Sequence, residues 1–162
     1  MGTRPIAASI KILSSFPFNS STTAVAAKLK QPMTEKKRIL FVCVENSNRS
    51  QMAEAFAHIH GRDAVEALSA GSKPLGQINS RAVRFMAELG YDLNVQRSKS
   101  LDEIGGEFDA VVTMGCGDAC PWVAAKWRED WALADPKHMD DAGYRAIRDE
   151  ISSRVKTLLA KL

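Results

Sequence analysis

Arg38-Ile-Leu-Phe-Val-Cys43-Val-Glu-Asn-Ser-Asn-Arg49-Ser50 carries an apolar run straight into a Cys-x5-Arg-Ser loop, and a helix-period pattern follows. A short apolar run leading into a helix is the opening of a βαβ unit, so the loop falls at a strand-to-helix turn. Successive backbone N–H groups and the positive end of the helix dipole converge at such a turn, and a tetrahedral anion is held there. The same field stabilises a thiolate at its focus, which makes Cys43 a candidate nucleophile. Arg49 has the planar fork that grips two oxygens of an anion, and Ser50 can hydrogen-bond the sulfur. Asn46 is a residue type that tolerates the left-handed backbone of a tight loop. The bland alternative is an inert Cys closing a core strand, and the spacing by itself does not exclude it.

Working outward, strand and helix patterns alternate. Met52, Phe56 and Ile59 recur at helical spacing, with Gly61 as a stop. A second strand is expected over Ala64–Ser69, ending in Ser69-Ala-Gly71. Ala82, Phe85, Met86 and Leu89 line a second helix, capped by Asn79 or Ser80 and stopped by Gly90. Asp109-Ala-Val-Val-Thr-Met114 suits a strand buried on both faces, as in parallel sheets. Trp131–Ala134 is the expected last strand, and Tyr144, Ile147, Ile151, Val155 and Leu158 form the stripe of a closing helix. The series predicts an α/β single domain, a parallel sheet covered by helices on both faces. Ligands bind such sheets at the carboxyl ends of the strands, where Cys43, Ser69, Cys116 and Asp135 would all fall.

Two further segments belong to that edge. Thr113-Met-Gly-Cys116-Gly-Asp-Ala-Cys120-Pro121 sets two thiols four positions apart on a glycine-containing loop, free to approach each other and a neighbouring site. Such a pair points to redox or metal chemistry, or is simply two loop cysteines; zinc would want four ligands, and His58, His60 and His138 offer little toward them. Trp131-Ala-Leu-Ala-Asp135-Pro136 pins a carboxylate on a stiff turn, where an acid can protonate a leaving oxygen. Asp-Pro is also a common turn dipeptide and counts here only as the third member of the set.

The length of 162 residues suits one domain, and no apolar run approaches the ~18 residues that span a bilayer. The net charge of +3 divides unevenly: residues 1–32 contain Arg4, Lys11, Lys28 and Lys30 and no acid, leaving 18 basic residues against all 19 acids for the remainder. Neither a nucleic-acid nor a membrane role has support in that balance. The first segment, with its Ser20–Thr23 cluster and Pro5, Pro17 and Pro32, reads as disordered; the division expected is an extension over 1–36 and a folded domain over 37–162. The extension is acid-free like a transit peptide but poor in Arg; Met33 before Thr-Glu-Lys-Lys-Arg is a natural start, which favours an upstream extension of the reading frame over targeting.

Cys43-Val-Glu-Asn-Ser-Asn-Arg-Ser-Gln-Met-Ala-Glu54, Ser69-Ala-Gly71, the two-cysteine loop and Trp131-x3-Asp-Pro136 together resemble the low-molecular-weight protein tyrosine phosphatase fold, and within it the thioredoxin-coupled arsenate reductases. The resemblance runs from about Arg38 to the C-terminus. It implies a four-stranded parallel sheet, a cytoplasmic enzyme without a cofactor, and oxyanion binding by Glu45, Asn46, Ser47, Asn48, Arg49 and Ser50. It also implies a relay in which Cys43 attacks arsenate, Cys116 attacks Cys43 to release arsenite, and Cys120 moves the disulfide outward for thioredoxin, with Asp135 assisting departure of water.

Glu45 and Asn48 depart from the pattern, since many members have Gly and a second Cys at those places. A glutamate beside an anion site must point away from it or weaken binding. Relatives that bind potassium beside the loop do so with an Asn, a Glu, a Ser and an acid; Asn46, Glu54 and Ser69 match, but Lys99 stands at the acid's place, where its ammonium can fill the cation position, so no metal is expected to be required. The rival reading is a tyrosine phosphatase working through a Cys43 phosphocysteine, although Lys137 and His138 after Asp-Pro leave no aromatic slot and that chemistry gives Cys116 and Cys120 no task. A non-catalytic redox sensor is the third reading, which a change at Asp135 would leave indifferent.

Overall fold

A computed structural model describes residues 35–162 of the chain. The expectation of a disordered extension therefore lies outside the described residues except at Glu35 and Lys36, which are exposed. Strands β1 (Lys37–Cys43), β2 (Val65–Gly71), β3 (Phe108–Thr113) and β4 (Ala125–Asp130) form one sheet in the order β2-β1-β3-β4, every pair parallel. Helices α1 (Arg49–Gly61), α2 (Ser80–Ala87) and α3 (Asp141–Lys161) complete the α/β domain.

The central strand β1 decides the layering because alternate side chains leave it on opposite faces. Ile39, Phe41 and Cys43 face the larger core, which holds Met52 and Phe56 of α1 and Tyr144, Ile151, Val155 and Leu158 of α3. Phe85 of α2 stacks on Tyr144 with ring centroids 4.5 Å apart, which fastens α2 to α3. Leu40 and Val42 face a smaller core with Ala70, Phe108 and Val111, covered by Leu101, Ile104, Cys120 and Val123. On that face the crossovers are reduced to single 3-10 turns at Leu101–Glu103 and Gly117–Ala119.

Most expected elements fall where the pattern places them, including the Asn79 cap, whose side chain accepts from the Arg81 N–H at 2.9 Å. The second strand begins one residue later than expected and runs on to Gly71. Leu89 lies beyond the end of α2 and is half-exposed rather than part of its buried face. The last strand is a correction: it is Ala125–Asp130, and Trp131–Ala134 is not a strand. As an edge strand with mostly exposed side chains, Ala-Lys-Trp-Arg-Glu-Asp carries no apolar run to signal it. The apolar character of the next segment has another cause: Trp131 and Leu133 turn back under the sheet edge, and Trp131 packs on Phe41 at 5.9 Å.

Candidate active site

The loop 44–48 between β1 and α1 is held from outside by its carbonyls. Those of Val44, Glu45 and Ser47 accept from the N–H groups of Lys73, Leu75 and Asn79 at 2.8–3.0 Å. In a trans peptide the following N–H points the opposite way, so the amides of Glu45, Asn46 and Asn48 turn away from the 73–79 segment. Cys43, Val44, Glu45, Ser47, Asn48, Arg49 and Asp135 line a pocket of about 150 Å³ at this point. A cavity therefore stands at the start of α1, where the oxyanion site is expected, with Cys43 buried in its wall and outside any disulfide.

Asn46 organises the loop. Its φ of 45° is the left-handed conformation expected of it, and its side chain is saturated. The amide nitrogen donates to Ser50 Oγ and Ser69 Oγ, both at 2.9 Å, and the oxygen accepts from Lys99 N at 2.7 Å and Gln51 Nε2 at 3.0 Å. Because Ser50 Oγ receives that bond, its own proton is left for Cys43 Sγ, 2.9 Å away. Ser69 in turn donates to Glu54 Oε2 at 2.5 Å, and Lys99 Nζ lies 3.4 Å from the same oxygen. A continuous buried path therefore joins the Lys99 ammonium to the Cys43 sulfur through Glu54, Ser69, Asn46 and Ser50. Lys99 Nζ stands beside the Glu54 carboxylate, next to Asn46 and Ser69, the residues that match the cation-binding set of some relatives.

Arg49 opens α1 and reaches across the sheet edge. Its Nη1 donates to the carbonyls of Met114 and Leu133, each at 2.7 Å, while Nη2 lies 3.6 Å from Asp135 Oδ2. Part of the guanidinium fork is thus used to fix the side chain, and the residue after β3 and the segment that carries the Asp-Pro turn meet on it. Asp135 also caps its own turn by accepting from Lys137 N at 3.0 Å. Asn48 accepts from the buried Tyr144 hydroxyl, and its Nδ2 is a buried donor without a protein partner among the described residues. Burial, ahead of any charge, holds the Tyr144 phenol well above its ordinary pKa, so it remains a donor.

Glu45, the acid that had to point away from the anion, is held by Lys137: Nζ lies 3.2 Å from Oε1, and Ser47 Oγ donates to Oε2 at 3.2 Å. Cys116 and Cys120 are joined in a disulfide with Cα atoms 5.9 Å apart, so the loop thiols pair with each other while Cys43 stays free. Tyr144, Gln51 and Lys137 are partners that sequence reasoning missed. Only the polar Gln51 beside Met52 at the start of an apolar helix offered a signal for any of them.

A four-stranded parallel sheet, a Cys-x5-Arg loop at its carboxyl edge and an Asp-Pro turn above it place the molecule with the phosphatase-like oxyanion enzymes. The chain belongs to the low molecular weight phosphotyrosine protein phosphatase family, whose model matches residues 38–162. Among similar proteins is a glutaredoxin arsenate reductase of Synechocystis sp., 35% identical over 130 residues that cover 78% of this chain and 98% of the relative. A solved arsenate reductase in the phosphate-binding state is 35% identical with a TM-score of 0.72, covering 77% of this chain and 98% of that one. A thioredoxin-dependent arsenate reductase of Corynebacterium glutamicum is 32% identical with a TM-score of 0.65, covering 79% of this chain and 62% of the other.

Proposed function

We propose that residues 37–162 form an arsenate reductase that converts arsenate to arsenite through Cys43, Cys116 and Cys120. The observation that carries the reading is the combination of a free Cys43 in a small oxyanion pocket with a Cys116–Cys120 disulfide on the neighbouring loop. That combination is the state a three-cysteine relay reaches after releasing its product, and phosphatase chemistry has no use for it.

Arsenate binds in the loop with Arg49, the amides of residues 45–50 and the Asn48 side chain as donors. The Cys43 thiolate, receiving the Ser50 hydroxyl proton as a hydrogen bond, attacks arsenic, and an oxygen leaves as water after protonation by Asp135. The Cys116 thiolate then attacks Cys43 Sγ. A sulfur–sulfur bond forms, the sulfur–arsenic pair passes to arsenic, and arsenic(V) becomes arsenic(III) as arsenite departs. Attack of the Cys120 thiolate on Cys116 restores the Cys43 thiolate and leaves the outer disulfide. A dithiol protein of the thioredoxin class returns the two electrons and two protons. Work in the cytoplasm, where such proteins keep thiols reduced, accords with this cycle. A glutaredoxin with glutathione is the second reductant to consider, on the strength of the Synechocystis relative.

The test is arsenate-dependent NADPH oxidation with thioredoxin and thioredoxin reductase, beside a glutaredoxin–glutathione arm and an aryl-phosphate hydrolysis assay. Turnover with thioredoxin that needs all three cysteines is expected. Brisk, Cys43-dependent phosphate release with no arsenate turnover would make the protein a phosphatase instead.

A further inference from the structure

The anion pocket has a neighbour. A groove of about 410 Å³ lined by Leu75, Gln77, Ile78 and Asn79 adjoins it at Ser47, which lines both. Glu45 belongs to the wall of the pocket and Lys137 to the wall of the groove, so the ion pair between them, at 3.2 Å, stands on the boundary. Both partners are fixed independently of each other. The Glu45 carbonyl accepts from Leu75 N at 3.0 Å and its carboxylate from Ser47, while the Lys137 N–H is capped by Asp135 in a turn stiffened by Pro136.

Size makes the boundary consequential. Pockets that hold organic ligands run to roughly 300–1,000 Å³. The anion pocket, at about 150 Å³, takes a tetrahedral oxyanion, and an ester of that anion must send its organic group elsewhere. The groove, with the half-exposed Leu75 on its wall, is the adjoining space that could accept it. Charge matters as well, because Lys137 neutralises a carboxylate that would otherwise face a dianion.

We propose that the Glu45–Lys137 ion pair is a specificity gate that confines the pocket to free inorganic oxyanions and closes the groove to the organic group of a phosphate monoester. The inference rests on the arsenate reductase reading and adds to it which substrates are refused. Lys137 acts here through Glu45 and through the volume of its stem, as a specificity-determining residue rather than a catalytic one.

The experiment compares the parent with K137A, K137M and E45A/K137A in thioredoxin-coupled arsenate reduction and in p-nitrophenyl phosphate hydrolysis. Opening the groove should raise kcat/KM for the aryl phosphate about tenfold in E45A/K137A, the scale on which opening or filling a pocket discriminates substrates, and by less in K137A, where the uncompensated Glu45 also repels the phosphate dianion. K137A should also raise KM for arsenate for the same reason. K137M keeps the stem and loses the charge, so KM for arsenate should rise with little gain in aryl-phosphate hydrolysis. Removing Glu45 in the double variant should lower KM for arsenate relative to K137A, alongside the larger aryl-phosphate gain. A parent that reduces arsenate, with variants that still reduce it but gain no aryl-phosphate hydrolysis, overturns the gate alone. A parent that hydrolyses the aryl phosphate briskly and does not reduce arsenate overturns the gate together with the reading beneath it.

Discussion

The loop around Cys43 and the segment carrying Cys116 and Cys120 leave the carboxyl ends of adjacent strands, β1 and β3, yet they are built in opposite ways. Around Cys43, Asn46, Ser50, Gln51 and Ser69 are fully buried, and their polar groups are joined in one network. Around the disulfide, Ala119 and Pro121 are exposed, Trp122 is 73% exposed, and the following strand β4 lies at the sheet edge. A buried network with every member satisfied has one geometry, whereas a segment with few buried contacts opens at little cost. In the proposed relay the difference would divide the tasks: one region would hold an anion and a sulfur in register, and the other would deliver a thiol and carry a disulfide outward.

The strongest way to break that division is at the sulfurs. Cys43→Ser should lower arsenate turnover by at least ~10⁴-fold, the scale seen on losing a nucleophile. Cys120→Ser should instead release about one arsenite per protein in a burst and then stop, as counted by rapid quench, because the relay proceeds as far as Cys116. A burst from Cys43→Ser, or sustained turnover without Cys120, would erase the distinction between the regions.

Next in size is the buried end of the network. The Lys99 and Glu54 side chains are 10% and 7% exposed, so Lys99→Met strands a carboxylate and should cost about 3 kcal/mol in urea unfolding. Adding Glu54→Gln should recover much of that loss, whereas an exposed pair would be worth under about 1 kcal/mol.

Two glycines sharpen the contrast further. A Cβ on Gly71 would lie 2.5 Å from the Val44 carbonyl oxygen and 2.9 Å from Asn46 Cβ, so Gly71→Ala must shift the anion loop. A displacement of that order should cost about 10²-fold in kcat/KM for arsenate. Gly117, in the cysteine loop, has a φ of +52° and nothing within 4 Å of a Cβ built on it. Gly117→Ala should therefore cost only the ~1 kcal/mol of a left-handed alanine, read as a small drop in thermal midpoint.

The smallest effect is a pH dependence where the end of α2 meets α3. The Arg145 hydrogen bonds, joined by Arg148 and opposed by desolvation, lower the Glu88 pKa to about 2. A carboxyl with a depressed folded-state pKa contributes stability that is present above about pH 4.5 and is lost as pH falls from there to about 2. Glu88→Gln should flatten that part of a thermal-midpoint profile taken between pH 2.5 and 6, lowering the midpoint slightly at neutral pH and leaving it nearly unchanged at pH 2.5.

Much of the fold was legible because burial imposes periods on sequence. β3 carries the unbroken apolar run Ala110-Val-Val112 because both its faces are covered, and α3 shows its stripe at Tyr144, Ile151, Val155 and Leu158. β4 was misplaced for the converse reason: its side chains are mostly exposed, so nothing in its sequence records the pairing. Within the site, Cys43, Arg49, Asn46 and Asp135 announce themselves through spacing and residue type. The Tyr144–Asn48 bond joins residues 96 positions apart, and the Glu45–Lys137 pair residues 92 apart; such separations leave no local pattern.

The sequence by itself determined that a thiol, a guanidinium and a helix start meet at a strand end, because a loop of this length between those two periods has few ways to run. Tertiary structure alone decided what those groups touch. It spent part of Arg49 on the Met114 and Leu133 carbonyls, set Lys137 against Glu45, and neutralised Glu54 with Lys99. Local chain stiffness and hydrophobic period act over a few residues and can be read in one dimension. The partner of a charge is whichever distant group the folded chain brings within a few ångströms, and that is a property of the packing.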